Sequence, residues 1–227
     1  VTATGEGGGA GIGGASGGNG TGGHGKIILA GSARVTAIST CGAGIGGGEA
    51  VCWDGTQLST AATSGDGELL ITDDVVIDAH SDFGAGIGGG MPQYDSGRRA
   101  YSYSYGTGSD GKLTINGNAH VTATSTQAAG IGGGYNSESY SYLAYDGGVI
   151  SISGNAWVEA TGGRWGIGAN LQHGNGALKI SGGTVIARAT YGAVATACGI
   201  SESRYNTITG GTVEASGYTG IAWAKVN

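Results

Sequence analysis

Proline is almost missing from this chain, one residue in 227, and phenylalanine and methionine also occur once each. Glycine occurs 53 times, a composition that alone would suit a collagen-like or disordered chain. The lack of proline and of any three-residue glycine period excludes the first. The fixed recurrence of Val, Ile and Leu argues against the second. Lysine and arginine total 10 against 16 aspartates and glutamates, giving a formal charge of -6 and a pI near 5.0. The cations form no run, and phosphate backbones are held by clustered cations, so nucleic acid is excluded as the expected partner. No apolar stretch approaches the roughly 20 residues a membrane helix needs, and no signal peptide is recognisable. Helical periodicity and hairpin signals are missing too, which removes bundles, sandwiches and propellers from consideration.

What is present is a repeat. Gly-Ala-Gly-Ile-Gly-Gly stands at Gly9 to Gly14, Gly42 to Gly47 and Gly84 to Gly89, with one change at Ala128 to Gly133. It decays to Trp165-Gly166-Ile167-Gly168, Cys198-Gly199-Ile200 and Thr219-Gly220-Ile221. Two ladders accompany it. One is a branched residue two positions before alanine: Val1/Ala3, Val35/Ala37, Ile77/Ala79, Val121/Ala123, Val158/Ala160, Val185/Ala187 and Val213/Ala215. The other is an alternating apolar pair: Ile27/Leu29, Leu69/Ile71, Leu113/Ile115, Ile150/Ile152 and Leu178/Ile180, with Ile208 as its remnant. Alternation with period two means strands.

The order is always apolar pair, Val-x-Ala, Gly-Ile-Gly, and this predicts an all-β fold: a right-handed parallel β-helix of about seven coils with three short strands per coil. Residues 1–227 read as a single domain. The chain opens inside one repeat and stops inside another, so it reads as a piece of a longer repeat protein. Inward Val, Ile, Leu and Ala would form columns through a narrow core, with glycines giving the positive φ that corners need. The steps from Gly-Ile to the next apolar pair are 15, 24, 26, 19, 11 and 8 residues. By contrast, the step from pair to valine is 8 in the first four complete coils, and that from valine to Gly-Ile is 9 to 11 in the first five copies. Insertions therefore leave from one corner, and the flank on which a solenoid gathers insertions is often its binding face. A smaller insertion lies between Val185 and Ile200.

The insertions hold eight of the eleven tyrosines: Tyr94, Tyr101, Tyr103 and Tyr105 in one, Tyr135, Tyr140, Tyr142 and Tyr145 in the next. Tyr101-Ser-Tyr103-Ser-Tyr105 alternates, so an extended segment would show three rings on one side. Rings with Asp95, Arg98, Arg99 and Glu138 nearby make a binding surface suited to sugars, since aromatic faces stack and phenols hydrogen-bond at low entropic cost. The same rings could instead pack the loops onto the coil. Asp66, Asp110 and Asp146 each precede a glycine and the apolar pair. Turn chemistry explains Asp-Gly, yet in-register stacking of like charges would favour calcium as a counter-ion.

Asp78, His80 and Asp82 alternate on one outward face, with Asp73 and Asp74 upstream. They are a solvated polar face, or a metal or acid-base group; a spacing of roughly 6.5–7 Å between alternate residues is too wide for one shared ion. Ile28 and Leu70 fall outward on the apolar-pair strand and call for a cover. Cys41 and Cys52 bracket one glycine phrase and suit a disulfide in an oxidising setting, while Cys198 is expected to be buried.

The glycine phrases, the Asp-Gly corners, Ser181-Gly-Gly-Thr-Val185 and the alternating alanines together resemble the glycine-rich β-helical repeat regions of large cell-surface proteins from Gram-positive anaerobes, often labelled carbohydrate-binding. The resemblance implies an extracellular, surface-attached module that binds glycan on a host or plant surface, and it brings no catalytic motif. The expected function is therefore a monomeric, non-catalytic glycan-binding adhesin module. The alternatives are a passive stalk, and a polysaccharide lyase or hydrolase in which Arg98 or Arg99 acts as base.

Overall fold

The computed structural model describes residues 1–6, 8–15, 17–18, 25–48, 50–51, 67–91, 112–134, 149–168, 177–191, 198–200, 206–221 and 224–226. Every regular element among them is a strand, and all pairings are parallel. The strands form the three expected faces. The valine face runs through Thr2–Gly5, Arg34–Ser39, Val76–Ser81, His120–Ser125, Trp157–Gly162, and the later halves of Ala177–Ala189 and Asn206–Ser216. The pair face uses Gly25–Leu29, Gly67–Ile71, Lys112–Ile115, Val149–Ile152, the earlier halves of the same two long strands, and Ala224–Val226. The glycine face stacks Ile12–Gly13, Ile45–Gly46, Ile87–Gly88, Ala129–Gly132, Trp165–Gly168, Cys198–Ile200 and Thr219–Ile221. This is a parallel β-helix of seven coils.

Register is set by the columns that sequence patterning picks out. Ile87 pairs with Ile45 on one side and Ile131 on the other, so the isoleucines form one file along the axis. Val35, Ile77, Val121, Val158 and Val185 form a second file, and Leu69, Leu113, Ile150 and Leu178 a third, all buried in one core. Each buried Ile or Val contributes about 1.5–3 kcal/mol, and a one-residue slip would turn a whole strand inside out. The core also takes Val75, Ala119 and Ala156 at the corner before the valine face, positions that lie outside both ladders.

Glycines take the predicted corner role between the pair and valine faces, and those of the glycine face add a second one. A Cβ on Gly44 would lie 2.7 Å from Gly86 O and 2.8 Å from His80 N; the equivalent Cβ on Gly86 would lie 2.6 Å from Thr124 N. This column lets the glycine strand close onto the backbone of the valine strand. The next column, with Gly46 at φ 135° and Gly88 at 134°, presses against the carbonyl of the following coil. Gly31, Gly117 and Gly154, at φ 69–71°, serve the left-handed corner between pair and valine faces, with Gly183 at 82° and Gly211 at 87° at the same bend of the sixth and seventh coils. Asp73 stands in that same column at φ 62° and is the only described non-glycine residue with positive φ.

In the sixth and seventh coils this corner changes. Leu178 to Val185 is one residue shorter than the step of 8 in the earlier coils, and Ala177–Ala189 and Asn206–Ser216 run as single strands around the bend with a register shift between Ser181 and Thr184.

Candidate functional site

The longest variable connections leave the end of the glycine face and re-enter at the pair face, as the described strands on either side show. The smaller one between Val185 and Ile200 joins the valine face to the glycine face. Two of the longest start one coil apart, after Met91 and after Gly134, and return at Lys112 and Val149, which pair with each other. Tyr94, Arg98, Arg99, Tyr101, Tyr103, Tyr105, Tyr135, Tyr140, Tyr142 and Tyr145, together with Asp95 and Glu138, lie in these connections and outside the described residues. The same holds for Asp66, Asp110 and Asp146, and for Cys52, the expected partner of Cys41.

The polar residues that are described gather mainly on the outward side of the valine face. Alternation and register arrange them in three columns. The first runs Arg34, Val76, His120, Trp157, Thr184 and Thr212; within it the rings of His120 and Trp157 stack with centroids 4.1 Å apart. The second runs Thr2, Thr36, Asp78, Thr122, Glu159, Ile186 and Glu214. The third holds Ile38, His80, Thr124, Thr161 and Arg188. Arg188 binds Glu159 on one neighbouring coil and reaches Glu214 on the other at 3.6 Å, bridging three coils. The two carboxylates lie two coils apart in their column, with Ile186 between them.

Asp78, His80 and Asp82 do not all lie on one strand. The strand ends at Ser81, and the chain bends so that Asp82 Oδ1 comes to 3.4 Å from His80 Nε2, closer than strand spacing allows. Asp82 Oδ1 also accepts from Thr126 Oγ1 at 3.3 Å, and His80 Nδ1 lies 2.9 Å from Thr124 Oγ1. Among the described residues no three His, Cys, Asp or Glu side chains converge as a metal site would require. Asp73 and Asp74 belong to the corner. Asp73 Oδ2 accepts from Gly31 N at 2.9 Å. Asp74 Oδ1 accepts from Asn118, whose Oδ1 accepts from Asn155, so an amide ladder climbs the corner.

A second ladder escaped the sequence reading. Ser39, Ser81 and Ser125 end the valine strands with buried hydroxyls. Ser81 Oγ donates to Gly42 O at 2.7 Å and accepts from Gly84 N at 2.9 Å; Ser125 repeats this with Gly84 O and Ala128 N. The signal was present as a branched residue-x-Ala-x-Ser in three consecutive copies, from Val35, Ile77 and Val121. On the pair face, Glu68 bonds Lys26 at 2.9 Å and sits 3.8 Å from Lys112. The hydrogen bond from Lys26, then its charge, holds the Glu68 carboxyl below its usual range. Ile28 is 55 % exposed and Leu70 half-buried; the insertions that would cover them lie outside the described residues. Cys198 is buried with Ala129 and Trp165, and its register places it in the column of Ala129 rather than of Cys41.

Comparison with known proteins matches these coils. The Beta helix repeat family matches residues 71–91, 113–135, 150–170 and 207–224. The chain carries a β-helical repeat region. Each matched segment begins on the pair face and runs through the valine strand past the glycine face, so apart from Tyr135 the matched segments omit the tyrosines of the connections. No curated protein and no solved structure matches the chain.

Proposed function

We propose that this β-helix is an extracellular, cell-surface-attached module that recognises glycan, as polysaccharide or glycoprotein, through its tyrosine-rich connections. The observation that carries the proposal is the anchoring of two such connections on successive coils, with Lys112 and Val149 paired where they return. Adjacent coils lie about 4.8 Å apart, so eight tyrosines are tethered at neighbouring rungs of one corner. Amphipathic tyrosine rings suit stacking on sugar faces, and Arg98 and Arg99 would meet acidic substituents. The acidic chain with dispersed cations favours neither nucleic acid nor an anionic membrane surface as partner.

The experiment is a glycan array with the whole chain, repeated with Tyr103→Ala combined with Tyr142→Ala. Binding that the double variant loses while its circular dichroism is unchanged supports the proposal. No binding to any glycan leaves the passive stalk as the better account, a role a seven-coil ladder with a continuous core suits as a stiff rod. Binding that the variant retains rules out the tyrosine connections as the site. Product release from polyuronates would point instead to the lyase reading.

A further inference from the structure

Away from the tyrosine connections, the outward valine face brings a hydroxyl, an imidazole and a carboxylate into one continuous chain. Register places His80 beside Thr124, and the turn after Ser81 returns Asp82 to His80. Thr124 Oγ1 lies 2.9 Å from His80 Nδ1, and His80 Nε2 lies 3.4 Å from Asp82 Oδ1. A carboxylate only accepts, so Asp82 fixes the tautomer with the proton on Nε2 and leaves the Nδ1 lone pair facing the Thr124 hydroxyl. The other acceptor in reach of that hydroxyl, Ala79 O, is at 3.5 Å. Asp82 is itself held in place, by Thr126 Oγ1 and by Gln127 N–H donating to its backbone carbonyl at 2.9 Å. Nucleophile, base and orienting group therefore occupy two adjacent coils of a rigid sheet, in the geometric order that nucleophilic acyl transfer needs.

We propose that Thr124, His80 and Asp82 form a hydrolytic site for carboxylic esters. Esters are the favoured class because the alkoxide is a better leaving group than an amine and the site offers only modest assistance. The face is open, with His80 40 % exposed, so the substrate is an acyl group displayed on a larger hydrophilic molecule rather than a small molecule that must be enclosed. Thr124 Oγ attacks the ester carbonyl carbon, forming a C–O bond, and its proton passes to His80 Nδ1. The hydroxyl of Thr161, the register partner of Thr124 on the next coil, donates to the developing oxyanion. Collapse of the adduct breaks the bond to the alcohol, which takes the proton from His80. Water, losing its proton to His80, then attacks acyl-Thr124; the carboxylic acid leaves and the threonine is restored. Asp82 touches no reacting atom and is a positioning residue. This proposal is independent of the glycan-binding one.

The test uses the whole chain with p-nitrophenyl acetate, and with a fluorophosphonate probe followed by peptide mapping. The expected results are turnover above that of free imidazole at equal concentration and a phosphonyl adduct on Thr124. Thr124→Val should remove both, and His80→Gln should lower both by about 100-fold or more. Asp82→Asn should lower kcat with KM unchanged, which simple loosening of the surface would not produce. Thr124→Val keeps the branched shape; if it does not fold, His80→Gln decides alone. Turnover no greater than imidazole, label on other residues, or rates indifferent to His80→Gln would overturn the proposal.

Discussion

Three glycine-to-alanine changes separate the two reasons this fold uses glycine. Gly31 has a left-handed φ of 69° but open space around the missing Cβ; nothing lies within 4 Å. Gly31→Ala therefore isolates backbone strain and should cost about 1–2 kcal/mol. Gly44 carries no left-handed φ, yet its Cβ would sit 2.7–2.9 Å from the backbones of Gly86 and His80. Gly44→Ala isolates close approach and should cost roughly 1–3 kcal/mol as the glycine and valine strands are pushed apart. Gly46 combines both: φ is 135° and the Cβ would lie 2.1 Å from Gly88 O, the carbonyl that accepts from Gly47 N at 2.8 Å. Backbone strain and overpacking then add to roughly 2–6 kcal/mol. Urea denaturation followed by circular dichroism would rank the three. Native-state hydrogen exchange would be run beside it, because a solenoid can open coil by coil. Equal losses for Gly31→Ala and Gly46→Ala would refute the reasoning, since the carbonyl contact would then contribute nothing.

Two further outcomes follow from the ladders. Ser81→Ala removes the partner of both Gly42 O and Gly84 N inside the core and should destabilise by about 1–3 kcal/mol, whereas Ser32→Ala, on an exposed corner, should change stability little; equal effects in thermal melts would count against the buried serine ladder. Because Lys26 lowers the Glu68 pKa from its usual 4.5, their pairing stabilises the fold above that value and is lost as pH falls through the lowered one. Glu68→Gln should accordingly flatten the acid limb of a stability-against-pH curve below about 4.5 and raise salt sensitivity no further; an unchanged acid limb would show that the contact carries no linkage.

The path of the chain is legible in the sequence because parallel stacking makes every coil solve the same packing problem. Ile45, Ile87 and Ile131 share a column because any other register would bury glycine against isoleucine and expose the valines. The corner from which insertions leave could be found by counting, since residues outside the ladder are free to vary in number. The chain of Thr124, His80 and Asp82 could not be found that way. His80 and Thr124 are 44 positions apart, with a long insertion between them, and Asp82 reaches the imidazole only because the strand ends one residue earlier. The Asp73 cap on Gly31 was hidden for a similar reason: its meaning lies in an amide one coil away.

The sequence by itself determined the three main inward files, how many coils there are and the order of the faces, because period-two burial and a fixed repeat leave one economical arrangement. Tertiary structure alone decided what each glycine is for and which outward side chains meet. Both depend on distances between backbones of different coils, set by how closely two strands can approach, and no spacing along a single chain encodes them.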